Sequence, residues 1–192
     1  MNTTITWLRY ILIGFAILVL ALIASVLIAQ RVSDGPMGPL QGGSFETGEF
    51  VTAAVDDWSF ADGKDLEFEL VGTGTSRLTG LMVHNGDLYI PCDLGFMWGR
   101  FEGRTRFILN TIYVFKTWHL KAEKDGRVVL RIDGKRYEGY AVKVTDPTLV
   151  ASLKAQLEEM ARGWLAPAIL APAPTEGPRD IWFFRVDPTQ AT

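Results

Sequence analysis

From Ile11 to Ala29 the chain reads ILIGFAILVLALIASVLIA, with no charge, no proline and one glycine. At about 1.5 Å rise per residue a helix of this length reaches about 28 Å, close to the roughly 30 Å hydrocarbon core of a bilayer. Trp7, Arg9 and Tyr10 stand before it and Gln30 and Arg31 after it, residue types suited to a membrane–water boundary. A cleaved signal peptide has a shorter apolar run and a small-residue cleavage site; here Leu27-Ile28-Ala29 precede Gln30. A buried core helix of this length and uniformity is rare in a small domain. The sequence therefore predicts one membrane anchor over residues 1–31, spanning about residues 10–30. Arg9 and Arg31 tie in the positive-inside count, and the free amino terminus tips the expected orientation to a cytoplasmic N-terminus with an exported C-terminal domain.

Residues 32–44 are rich in Gly and Pro and are expected to form a flexible spacer. The remainder, 45–192, is long enough for one domain with its own core. A single cysteine, Cys92, excludes an internal disulfide framework, and two histidines are too few for a tetrahedral zinc site without carboxylates. Cys92, after Pro91, reads as a small buried hydrophobe.

Charge is unevenly spread. Glu46 to Glu69 is acidic, relieved only by Lys64, whereas Arg100 to Arg136 is basic. Two readings follow: halves that attract each other in the fold, or a basic pocket for a phosphorylated ligand or a lipid head group. Net negative charge and an exported location argue against nucleic acid.

Leu66–Val71 alternates apolar and acidic, the mark of a half-buried strand. Leu78–Val83 and Asp87–Pro91 flank His84-Asn85-Gly86, and Asp133-Gly134 joins Arg127–Asp133 to Lys135–Thr145; both dipeptides are hairpin signals. Thr105–Phe115 is a further β-prone run. Asp146-Pro147 opens a helix whose apolar stripe is Leu149, Val150, Leu153, Leu157 and Met160, with Gly163 as its stop. Leu165–Pro178 reads as an irregular connection and Ile181–Val186 as a last buried strand. The expected fold is an N-terminal transmembrane helix plus a mainly antiparallel β split barrel with one or two helices; a two-layer α+β sandwich is the runner-up.

The stretch from Lys116 (KTWHLKAEKDGRVVLRIDGKRYEGYAVKVTDPTLVASL), together with Thr73–Pro91 (TGTSRLTGLMVHNGDLYIP), resembles the flavin-binding split barrels of the pyridoxamine-phosphate-oxidase-like superfamily, which includes the deazaflavin-dependent reductases. The resemblance lies in the order of elements: an "RV" strand entry, an Asp-Gly hairpin, a strand ending in "VTDP", then a helix. It implies FMN or a deazaflavin held at a homodimer interface, with a phosphate bound by Arg77, Ser76 and Lys121. His119 would contact the ring or donate a proton; the simpler reading of His119 is a partly buried histidine bonded to the backbone, and of His84 a turn residue. Phe96–Phe107 (FMWGRFEGRTRF) departs from the family pattern, as does the anchor. The insertion suits a membrane-facing loop, a barrel plug or a dimer contact. Two functions are therefore in view: a membrane-anchored domain binding a flavin-type or other phosphorylated cofactor, as in a reductase, and a non-catalytic accessory subunit of a membrane complex that has kept the barrel and lost the cofactor.

Overall fold

A computed structural model describes residues 2–38, 40–93, 117–164 and 181–189. The Phe96–Phe107 insertion, the Thr105–Phe115 run and the Leu165–Pro178 connection lie outside the described residues. Helix α1 covers Asn2–Val32, and its stretch Trp7–Val32 is long and apolar enough to cross a membrane. Among the described residues its apolar side chains are exposed all round.

Among the described residues the domain is one sheet of eight strands: β1 Glu49–Val51, β2 Leu66–Leu70, β3 Thr75–Thr79, β4 Met82–His84, β5 Asp87–Asp93, β6 Arg127–Ile132, β7 Lys135–Lys143 and β8 Ile181–Pro188. Seven strands run in the order β3-β2-β6-β7-β8-β5-β4, all antiparallel to their neighbours. The edge strands β3 and β4 are joined by Gly80 and Leu81 alone. Three Cα–Cα steps of 3.8 Å reach at most about 11 Å. A flat sheet with strands about 4.8 Å apart would put those edges about 29 Å from each other. The sheet must therefore curl until its edges meet, which makes it the expected split barrel. The expected strand Leu78–Val83 is accordingly broken at Gly80–Leu81, where the chain crosses from one edge to the other.

Alternation on each strand fills the curl. Leu66, Phe68 and Leu70 of β2, Val128, Leu130 and Ile132 of β6, and Phe184 and Val186 of β8 point inward and are buried. A short helix absent from the sequence reading, α2 (Trp118–Lys124), plugs the interior: the Trp118 ring lies 5.0 Å from Phe68 and 5.2 Å from Phe184. Cys92 is fully buried there, as expected. Phe183 and Ile181, on the other face of β8, meet the apolar stripe of α3 (Pro147–Trp164) together with Met82 and Tyr89. The helix runs past Gly163 to Trp164. His84, expected as a turn residue, ends β4 and is tied to α3: its Nδ1 lies 2.9 Å from Gln156 Oε1, and Gln156 Nε2 donates to Val83 O at 2.8 Å. Both hairpins form as read, with Asn85-Gly86 at φ +53° and +86° and Asp133-Gly134 at +50° and +75°, the positive-φ pairs of a tight two-residue turn.

The stretch expected as a flexible spacer is instead fixed to the barrel. Ser33 Oγ accepts from Gly43 N at 3.1 Å, and Gly42 and Ser76 exchange backbone hydrogen bonds. Asp34 accepts from the amides of Glu46 and Thr47 and from the Thr47 hydroxyl. Arg131 holds the whole arrangement: its guanidinium pairs with Asp34 at 2.9 Å and Glu67 at 2.5 Å and covers the Phe45 ring at 4.3 Å. Arg136 donates to the carbonyls of Gly48 and Phe45. Arg131–Glu67 and Lys64–Asp133 are ion pairs between the acidic segment and the basic one.

Candidate functional site

The four residues singled out for a cofactor lie on two elements, β3 and α2. Ser76 and Arg77 are consecutive in a strand, so their side chains leave it on opposite faces. Arg77 opposes Phe68 across the β2–β3 pair and shares its inward face; the guanidinium lies over the Phe68 ring at 5.7 Å. Its Nη2 reaches Gln41 Oε1 at 3.4 Å, and its Nε is buried with no hydrogen-bond partner among the described residues. Burial lowers the pKa of Arg77, and the neighbouring Cys92 opposes that shift. Ser76 opposes Glu69 on the outer face, which residues 42–45 cover. Its hydroxyl donates to Gly43 O at 2.5 Å, and Glu69 accepts from Phe45 N at 2.9 Å.

On α2, His119 and Lys121 are two residues apart, about 200° around the helix, so they face opposite ways. His119 is buried, edge-on to Trp182 at 5.0 Å, while Lys121 is exposed. Trp182 also carries Lys143 Nζ over its ring at 3.0 Å, and Lys143 pairs with Glu123. The burial half of the simpler reading of His119, a partly buried histidine bonded to the backbone, matches its surroundings.

Side chains that hold a phosphate aim their charge-assisted hydrogen bonds at one shared point. Here the hydroxyl is engaged by the chain's own carbonyl, the β3 cation points into the barrel, and the α2 cation points to water. The four residues do not make one cradle for the phosphate of FMN or a deazaflavin.

A cavity of about 320 Å³ lies elsewhere, at a break in strand pairing along one edge of β7. Residues Lys135–Tyr137 of β7 pair in parallel with β1, and Gly139–Lys143 pair with β8. Glu138 falls between the two partners. The chain leaves β1 through residues 52–55, and Trp58 donates its amide to Gly86 O at 2.7 Å. The resulting hollow is walled by Phe50, Val55, Trp58, Tyr137, Glu138 and Pro188. Trp58 and Tyr137 meet edge to face at 5.3 Å, and Phe60 packs on both at 5.8 Å. Burial raises the pKa of the Tyr137 phenol. No motif marks this hollow in the sequence; its one local signal is the scatter of Phe50, Trp58 and Phe60 through an acidic segment.

No protein-family model matches the chain, and no curated protein matches it. Among solved structures, one from Listeria innocua, provisionally assigned as a pyridoxamine 5'-phosphate oxidase, aligns at 13% identity with a TM-score of 0.38. The alignment covers 66% of this chain and 84% of that one. The barrel is defined by the strand order of this chain itself.

Proposed function

We propose that the chain is a non-catalytic barrel module held rigidly at a membrane surface as an accessory subunit of a membrane assembly. One observation carries this reading. The span-length helix runs directly into residues 33–47, and those residues are latched onto the outer face of β2, β3 and β6 by Arg131, Glu69 and Ser76. A loose tether would let an enzyme domain sample the solution. A latched one sets the height and orientation of the barrel, which suits presentation of a surface to neighbours in the same bilayer. The engaged Ser76 hydroxyl and the pairing of Arg131 with Asp34 and Glu67 favour this reading over a phosphate-binding one. Native purification after gentle solubilisation in maltoside tests it. A stoichiometric membrane-protein partner is expected, and a protein that purifies alone at every expression level refutes it.

A flavin-type cofactor is the second reading, favoured by the buried Arg77 Nε directed into the barrel. Under it the protein would bind FMN or a deazaflavin and, as a reductase, turn it over. Absence of a flavin spectrum, with no thermal protection by added FMN, removes it.

A further inference from the structure

We propose that the hairpin of residues 36–41, with Leu78 beside it, lies in the head-group layer of the bilayer that α1 enters, as a second, interfacial contact between the domain and the lipid. The proposal rests on the reading of α1 as a membrane anchor. Its first support is position. The 26 residues Trp7–Val32, at about 1.5 Å each, measure about 39 Å, longer than the roughly 30 Å hydrocarbon core and close to the 40–45 Å of core plus head groups. The helix therefore ends among the head groups. The stems of the hairpin close against that end: Gly43 N donates to Ser33 Oγ, and a Cβ on Gly43 would meet Arg31 O at 2.8 Å. Gly42 packs on Gly35 between them. Met37 and Leu40 are each two residues from a stem glycine, so the chain holds them within about 8 Å of it. A head-group layer is itself about 5–8 Å deep.

The second support is the surface itself. Met37, Leu40 and Leu78 are 39%, 47% and 48% exposed, and Val32 at the helix end is 72% exposed. Gly42 and Ser76 form an antiparallel bridge, and Gln41 meets Arg77 one step further along. The next step sets Leu40 beside Leu78 at the outer edge of β3. Phe50 and Phe60, exposed elsewhere on the domain, instead lie under the cations of Arg136 and Lys64. A stable protein interface takes about 20–30 residues a side, far more than this patch offers, whereas an apolar wedge beside a span meets lipid at any size. The third support is the low polar cost. Backbone groups that leave water need partners inside the chain. Met37 and Leu40 exchange both of their backbone hydrogen bonds, at 3.1 and 3.2 Å, and Pro36 and Pro39 carry no amide hydrogen. Asp34, the one acid between the span and Phe45, is paired with Arg131 and accepts from the amides of Glu46 and Thr47. Its charge is thus turned away from the head groups, while the exposed Arg31 suits their phosphates.

Spin labelling of the full chain in phosphatidylcholine nanodiscs tests the assignment. A nitroxide is placed in turn at Leu40→Cys, at Leu78→Cys, at Leu20→Cys in the middle of the span, and at Glu158→Cys on the exposed side of α3. Cys92 is fully buried, and the unsubstituted chain treated alike gives the background. Collision with oxygen, which concentrates in lipid, is compared with collision with a nickel chelate, which stays in water. At 40 and 78 the ratio of oxygen to chelate collisions is expected to exceed that at 158 several-fold, and at 20 to be higher still. Labels at 40 and 78 that match the label at 158, while the label at 20 stays in lipid, overturn the inference and leave the anchor standing. A label at 20 open to the chelate refutes the anchor, and the inference with it. Labels at 40 and 78 shielded from both reagents mean that a second copy of the chain covers the patch, which also overturns the inference. The substituted positions are exposed, and an unchanged thermal midpoint shows that the fold is intact; Met37→Cys replaces a variant at 40 or 78 that shifts it.

Discussion

Replacing Arg131 by Met should release residues 33–47 from the barrel without emptying its core. The Arg131 side chain is 13% exposed and its partners Asp34 and Glu67 are 30% and 28% exposed. These pairs lie between surface ion pairs, worth about 0–1 kcal/mol, and buried ones, whose breakage costs about 3–5 kcal/mol. Two such pairs and the cover over Phe45 put the loss at about 2–3 kcal/mol. For a domain of this size that lowers the midpoint of thermal unfolding by roughly 5–10 °C. Asp34 adds a pH signature. Burial alone would raise its carboxyl, but the Thr47 hydroxyl, the Glu46 and Thr47 amides and Arg131 outweigh that and bring it from 3.8 to about 2. A depressed folded pKa stabilises above the unfolded value, and the stabilisation is lost as pH falls from about 4 to about 2. The shift corresponds to about 2 kcal/mol, trimmed towards 1 by water at the exposed part of the carboxylate. The assay is thermal unfolding between pH 2 and 7, with hydrogen exchange at the Glu46 and Thr47 amides. In the variant those amides should lose protection, and the acid limb of the stability curve should flatten. A midpoint within about 1 °C of wild type, with the amides still protected, would refute the latch.

Gly42→Ala should disrupt the same docking from the backbone side. A Cβ at Gly42 would sit 1.7 Å from Gly35 O, so residues 35 and 42 must move apart, at a cost of about 1–3 kcal/mol; faster limited proteolysis between 36 and 47 is the expected readout. Leu153→Ala, in the fully buried centre of the α3 stripe, should cost about 2–5 kcal/mol in denaturant unfolding. A loss below about 1 kcal/mol would mean that α3 does not pack on β5 and β8 as described.

Much of the fold was legible because its signals are local. Asn85-Gly86 and Asp133-Gly134 adopt the positive φ values those residues tolerate. Val128, Leu130 and Ile132 alternate inward because a strand has a period of two. The stripe from Leu149 to Met160 meets the sheet because a helix repeats every 3.6 residues. The short helix α2 was not legible. Seven residues give no periodicity, and Trp118 is helical because its ring has Phe68 and Phe184 to fill against. The three-residue strand β1 was equally silent, since its pairing depends on an edge of β7 that only folding creates.

The candidate site divides in the same way. The family resemblance of the sequence could name Ser76, Arg77, His119 and Lys121. It could not weigh that Ser76 and Arg77 leave β3 on opposite faces, or that Gly43 O takes the Ser76 hydroxyl across a separation of 33 residues. By itself the sequence determined the span-length helix, both tight hairpins and the faces of the strands, because each depends on residues a few positions apart. The tertiary structure alone decided that 33–47 is a latch rather than a tether, that Arg131 pairs with Asp34 and Glu67, and that a cavity opens at Glu138. Each of those is a long-range pairing, whose stabilisation depends on which surfaces the curled sheet brings together.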